Sequence, residues 1–162
     1  SPTNDPSLIT PSGCRDDHIY RPTVTADPEF AKKVAKMCSD EVPSDATNAD
    51  GDYSSAYSWY VGKDDEGFSY LADIWWDPPK QCGMTQNLLK PMEGWNCEKI
   101  MRENFNRACE KGLQADEIGR GRGGFIKIGC VYYQSYLSKR TGVFRPSWPD
   151  GNMSPEVWKI NS

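Results

Sequence analysis

The chain has 162 residues, 37% hydrophobic and 12% aromatic, which suits one domain burying roughly two thirds of its unfolded surface. Its formal net charge of −4 argues against nucleic acid as a partner, because non-specific affinity there comes from neutralised phosphates. No apolar run approaches the ~20 residues needed to cross a bilayer, so no membrane span is expected. Six cysteines, spread without a C-x-x-C pair beside a single histidine, point to disulfides instead of zinc. Disulfides persist in oxidising compartments, and the expectation is a secreted, extracellular monomer without cofactors. A start at Ser1 instead of methionine suits a mature form from which a leader or tag has been removed.

In chain order, residues 1–13 (SPTNDPSLITPSG) are rich in Pro, Ser and Thr and read as a tail tied down at Cys14. A first strand is expected at about His18 to Thr25, with Pro22 marking a sheet edge. Asp27-Pro28-Glu29 supplies a capping acceptor, a proline at the first helical position and an acid at the positive helix end. A helix follows whose apolar stripe is Phe30, Val34, Met37 and Cys38, and Val42-Pro43 stops it. After an acidic loop at 44–52, two strands are predicted at about 53–61 and 68–76, joined by the polar turn Gly62 to Gly67.

Alternation assigns the faces of that hairpin. Tyr53, Tyr57, Trp59 and Val61 share one side with Phe68, Tyr70, Ala72, Ile74 and Trp76, an almost wholly apolar set that forms the core face. The opposite, amphipathic face carries Ser54, Ala56, Ser58 and Tyr60, then Ser69, Leu71, Asp73 and Trp75. The neighbouring Trp75 and Trp76 therefore point to opposite sides of the sheet.

Asp77-Pro78-Pro79 ends the hairpin, and a loop leads to a second helix, about 97–111, capped by Asn96 and closed by Gly112. Its stripe is Cys97, Met101, Phe105, Ala108 and Cys109, with Ile100 beside it. After a glycine- and arginine-rich connection, FIKIGCVYYQSYL reads as one long strand, about 125–137. Residues 1–138 then form a single α+β domain, and 139–162 an irregular tail pinned to it by Trp148 and Trp158. The order β, α, β, β, α, β folds as a four-stranded antiparallel sheet with both helices on one face, the ferredoxin-like arrangement.

The disulfide framework draws on Cys14, Cys38, Cys82, Cys97, Cys109 and Cys130. Cys97 and Cys109 sit on one helix about 18 Å apart, too far for the ~7 Å Cα limit. The topology brings Cys38, Cys82 and Cys97 to one end of the molecule, which favours a bond of Cys38 to Cys82 or to Cys97.

Catalytic patterns are scarce. His18 after Asp16-Asp17 offers two parts of a nucleophilic triad, but no G-x-S-x-G accompanies it, and an exposed histidine is the preferred reading. Asp73 and Asp77, four residues apart on a strand, stand about 13 Å apart, too far for a glycosidase pair. Asn48-Ala-Asp50-Gly51-Asp52 resembles part of a calcium loop but has Ala46 and Tyr57 where the motif needs acids. The GRGRGG run at 119–124 precedes a strand instead of following one and reads as a connector. Asn152-Met-Ser154 is a glycosylation sequon followed by Pro155, and Lys139-Arg140 reads as a solvated strand end.

The open sheet face is the candidate binding surface: Tyr60 and Trp75, interleaved with Ser58, Ser69 and Asp73, suit a sugar ring or a partner protein. The competing account has a chain terminus covering this face.

The helix ending in Cys38, the segment WNCEKIMRENFNRACEKG and the following RGGFIKIGCVYY resemble small secreted cysteine-rich fungal proteins, including effector candidates related in fold to killer toxins. The resemblance spans about residues 28–137, and similar segments also occur attached to fungal glycoside hydrolases. It implies a non-enzymatic secreted protein acting on a host protein or a cell-surface glycan, with a carbohydrate-binding or carbohydrate-active protein as the alternative.

Overall fold

A computed structural model describes residues 3–14, 28–51, 56–63, 69–106 and 123–138. The strand expected at 18–25, His18, the connection before residue 123, Cys109, Lys139-Arg140, Asn152 and the tail 139–162 lie outside the described residues, as do the side chains of Cys14 and Ser69. The architecture is α+β, with a five-stranded antiparallel sheet in the order β1-β4-β5-β3-β2. The strands are β1 (Ile9–Cys14), β2 (Tyr57–Lys63), β3 (Ser69–Trp76), β4 (Gly123–Ile128) and β5 (Val131–Ser138). The helices are α1 (Pro28–Lys36), α2 (Cys38–Glu41), α3 (Pro79–Cys82) and α4 (Cys97–Asn106). α1 packs on β2 and β3, α4 packs on β4 and β5, and the two helices touch one another, so both cover the same face as expected.

Two strand expectations are corrected. The single long strand at 125–137 is a hairpin: β4 and β5 pair from Gly123↔Tyr136 to Ile128↔Val131 around the two-residue turn Gly129-Cys130. Gly129 sits at φ +59, a conformation that glycine adopts freely and that a two-residue hairpin requires. The segment Ile9–Cys14, read as a tail, is an edge strand on β4. Its Pro11 can donate no ladder bond and is confined to such an edge. The sheet is therefore not the four-stranded ferredoxin-like one. Of the described strands, the first lies at a rim, and the last, β5, takes the centre between β4 and β3.

The hairpin of β2 and β3 matches the alternation. Trp59, Tyr70, Ala72, Ile74 and Trp76 join Val34, Ala35, Ile100, Met101, Ile126, Ile128, Val131 and Tyr133 in one buried cluster beneath the helices, with Tyr57 and Val61 packed against it. Polar edges of the aromatics find partners: Trp59 Nε1 donates to Val34 O at 2.8 Å and Trp76 Nε1 to Asp50 O at 3.1 Å, so these rings are buried without stranding a donor. The capping acceptor of α4 is as predicted, with Lys99 N donating to Asn96 Oδ1 at 2.8 Å. At the other end of the chain Asp5 caps the 3-10 turn Pro6–Leu8, and the Ser7 hydroxyl and N–H hold its carboxyl below the usual aspartate range.

Two disulfides among the described residues staple this frame. Cys38 bonds Cys97, one of the two expected partners, tying α2 to the start of α4 with Cα atoms 6.1 Å apart. Cys82 bonds Cys130, joining the end of α3 to the β4–β5 turn with Cα atoms 5.8 Å apart.

The irregular segment from Asp77 to Asn96 is held by two buried amide side chains. Asn48 donates from Nδ2 to Asp77 O (3.0 Å) and Met84 O (2.9 Å), and its Oδ1 accepts from Gln86 N at 2.7 Å. Asn48 is therefore a structural clamp, and the partial calcium motif it opened is a loop brace. Gln86, fully buried, accepts from Cys130 N at 2.7 Å and donates from Nε2 to Pro91 O (3.0 Å) and Ile128 O (3.2 Å). Gly129 lies directly against it, and a Cβ there would meet Gln86 Oε1 at 2.7 Å and Nε2 at 2.8 Å.

Tyr133 is fully buried, its hydroxyl donating to Leu88 O at 2.6 Å, and burial pushes its pKa well above the usual tyrosine value. A group whose folded pKa is raised stabilises fully below its unfolded pKa, and that contribution is lost as pH rises. Unfolding free energy is accordingly expected to fall once pH passes about 10, the unfolded tyrosine value. Tyr133→Phe should cost about 1–2 kcal/mol at neutral pH through the orphaned Leu88 carbonyl and flatten this alkaline decline. Urea denaturation curves at pH 8 and pH 11 check both effects, and an equally steep decline in the variant would assign it to other groups.

Candidate functional site

The side of the sheet away from the helices is built in rows set by strand register. Ser58, Asp73 and Gln134 stand in register across β2, β3 and β5. On one side of this polar row lie Trp75, Tyr132 and Lys127 across β3, β5 and β4; on the other lie Tyr60 and Leu71. Period-two alternation puts all of them on one face, and the contacts agree. The Trp75 and Tyr132 rings stack with centroids 4.9 Å apart and planes 9° apart, and Lys127 Nζ lies 4.8 Å from the Tyr132 centroid. The Tyr132 hydroxyl donates to Asp77 Oδ2 at 3.1 Å, and the Ser58 hydroxyl donates to Asp73 Oδ1 at 2.7 Å.

Burial corrects the picture of an exposed aromatic face. Trp75 is 8% exposed and Tyr132 6%, while Asp73, Gln134 and Leu71 are closed off from solvent. Trp75 is therefore a second-core tryptophan, as buried in practice as Trp76 at 5%. Tyr60 stays outside at 52% exposed. Of the residues singled out from sequence, the structure joins Ser58 to Asp73 directly, seats Trp75 in the neighbouring row and leaves Tyr60 at the solvent-facing rim.

Compared with known protein families, characterised proteins and solved structures, the chain matches none. The reading of the site therefore rests on its own geometry.

That geometry has two parts. The interior part is a carboxylate, a hydroxyl and a carboxamide walled by a stacked aromatic pair, with the Ser58 hydroxyl on Asp73 Oδ1 and the Gln134 Oε1 oxygen buried without a hydrogen-bond partner among the described residues. The rim part is Tyr60 on β2, an edge strand of the sheet, beside a register irregularity between Tyr60 and Lys63 that carries Gly62 at φ +95. Bulges of this kind twist an edge and re-aim its side chains. No group of three His, Cys, Asp or Glu residues is placed to hold a metal among the described residues. Sequence reasoning missed Tyr132, Gln134 and Lys127 as members of this face. The signal was present in the alternation of VYYQS, but it was masked by reading FIKIGCVYYQSYL as one strand, which left its turn and its strand partners unassigned.

Proposed function

We propose that the protein is an extracellular, non-enzymatic binding protein of the effector or toxin-like kind that recognises a host or competitor-cell protein through the surface around Tyr60. The observation that supports this reading most is the contrast on one sheet face: Trp75, Tyr132 and Asp73 are engaged internally, while Tyr60 presents a large aromatic at 52% exposure on an edge strand. Exposed tyrosine brings large contact area with few torsions to freeze, which is why it recurs among the residues that dominate binding energy. Two disulfides are compatible with an extracellular setting.

Tyr60→Ala is the direct test, because an exposed side chain can be truncated at a cost to stability within about 0.5 kcal/mol. Fluorescently labelled protein applied to host cells should lose binding by about tenfold or more in the variant, with circular dichroism unchanged. Equal binding by the two proteins would remove Tyr60 from the interface. Binding on a glycan array that depends on Tyr60 would replace the protein partner by a sugar, and hydrolysis abolished by Asp73→Asn would make the protein an enzyme.

A further inference from the structure

The two described disulfides sit in different surroundings. Cys38 and Cys97 are 3% and 1% exposed and belong to the hydrophobic cluster under the helices. Cys82 is only half-buried, at the end of the four-residue helix α3, and neither it nor Cys130 is part of that cluster. A dissolved thiolate must reach a sulfur to attack it; Cys130 is 1% exposed, so of these four cysteines Cys82 is the one that is not fully buried.

We infer that the Cys82–Cys130 bond is a reducible clasp, opened by small thiols ahead of Cys38–Cys97 and without loss of the fold. In the first step a thiolate of glutathione attacks Cys82 Sγ, the Cys82–Cys130 bond breaks, and Cys130 leaves as a thiolate that takes up a proton. A second glutathione thiolate then attacks the sulfur of the bound glutathione, releasing oxidised glutathione and the Cys82 thiolate. Both cysteines end as thiols, and two glutathiones have been oxidised to one disulfide.

Hydrogen bonds independent of the disulfide hold both ends once it is open. Asn48 brackets the Cys82 loop by its bonds to Asp77 O and Met84 O. Gln86 keeps the Cys130 N–H, and Cys130 O accepts from Asp77 N at 2.8 Å. The turn Gly129-Cys130 is closed by strand pairing at Ile128↔Val131. Opening therefore frees two thiols at one end of the sheet while its strands stay paired. The clasp responds to passage from oxidising into thiol-rich surroundings, and the inference rests on the burial of the two bonds, not on the partner reading.

The test is partial reduction of the native protein in graded reduced glutathione, followed by acid quench, alkylation and peptide mass spectrometry. Cys82 and Cys130 should become alkylated at least tenfold faster than Cys38 and Cys97, with near-ultraviolet circular dichroism retained at that stage. Alkylation of Cys38 and Cys97 at an equal or greater rate would overturn the inference, as would loss of the tertiary signal together with the first bond. A Cys82→Ser, Cys130→Ser double variant gives a second reading: it should fold with a native spectrum, and a variant that fails to fold would show that the bond is indispensable.

Discussion

Replacing Gln86 by leucine is expected to destabilise the protein by about 3–5 kcal/mol, although the two side chains have similar size. The carboxamide serves three buried backbone groups, Cys130 N–H, Pro91 O and Ile128 O, and each group left without a partner costs roughly 1–3 kcal/mol, partly relieved by relaxation. Denaturant midpoints of the oxidised proteins measure the loss, and a change below about 1 kcal/mol would mean that water replaces the side chain. Gly129→Ala tests the same contact from the other side. An added Cβ meets the Gln86 amide and must adopt a positive φ, which costs of order 1–3 kcal/mol. The steric part of that cost should shrink when Gln86 is shortened to alanine, so the two substitutions are expected to be coupled in a double-mutant cycle.

The adjacent tryptophans provide the second large effect. Trp75→Ala and Trp76→Ala should each lower stability by about 3–5 kcal/mol, the usual penalty for removing a buried tryptophan. For a chain of this length each kcal/mol corresponds to roughly 2–4 °C in Tm, so both variants should melt about 6–20 °C below the parent. Trp76 loses contacts under the helices and its bond to Asp50 O; Trp75 loses its stack on Tyr132. A Trp75→Ala variant as stable as the parent would contradict the burial of the second face.

The halves of the fold differed in legibility for identifiable reasons. The β2–β3 hairpin was readable because its apolar residues alternate strictly, and the faces assigned to Trp59, Ile74 and Trp76 are those observed. Asn96 declared the start of α4, and topology brought Cys38 near Cys97. The β4–β5 hairpin was hidden because Gly129-Cys130 interrupts an otherwise continuous β-branched and aromatic run by a turn only two residues long. A glycine inside such a run is the sole local signal. β1, ITPSGC, was obscured by its proline and glycine, residues depleted in strands that an edge tolerates. Neither Asn48 nor Gln86 announces itself, since nothing in a polar loop residue's surroundings in sequence reveals that its amide will be buried against backbone groups distant along the chain. The same limit applied to the candidate site: alternation placed Trp75 and Tyr60 on one face, but only tertiary packing separates the buried one from the exposed one.

The strand order has a consequence for biosynthesis. β5, the last of the described strands, is the partner of both β3 and β4, so the hairpin of β2 and β3 emerges from the ribosome with its inner edge open and waits for residues beyond 130 before the sheet can close. Among the described strands β1 pairs with β4 alone, which follows more than a hundred residues later. Such distant pairings must meet the cost of closing long loops before they are rewarded, which slows folding and prolongs the exposure of unpaired edges. Closure of the described sheet therefore waits for β5, and the Cys82–Cys130 disulfide, whose second cysteine lies in the β4–β5 turn, can form only as those late contacts arrive.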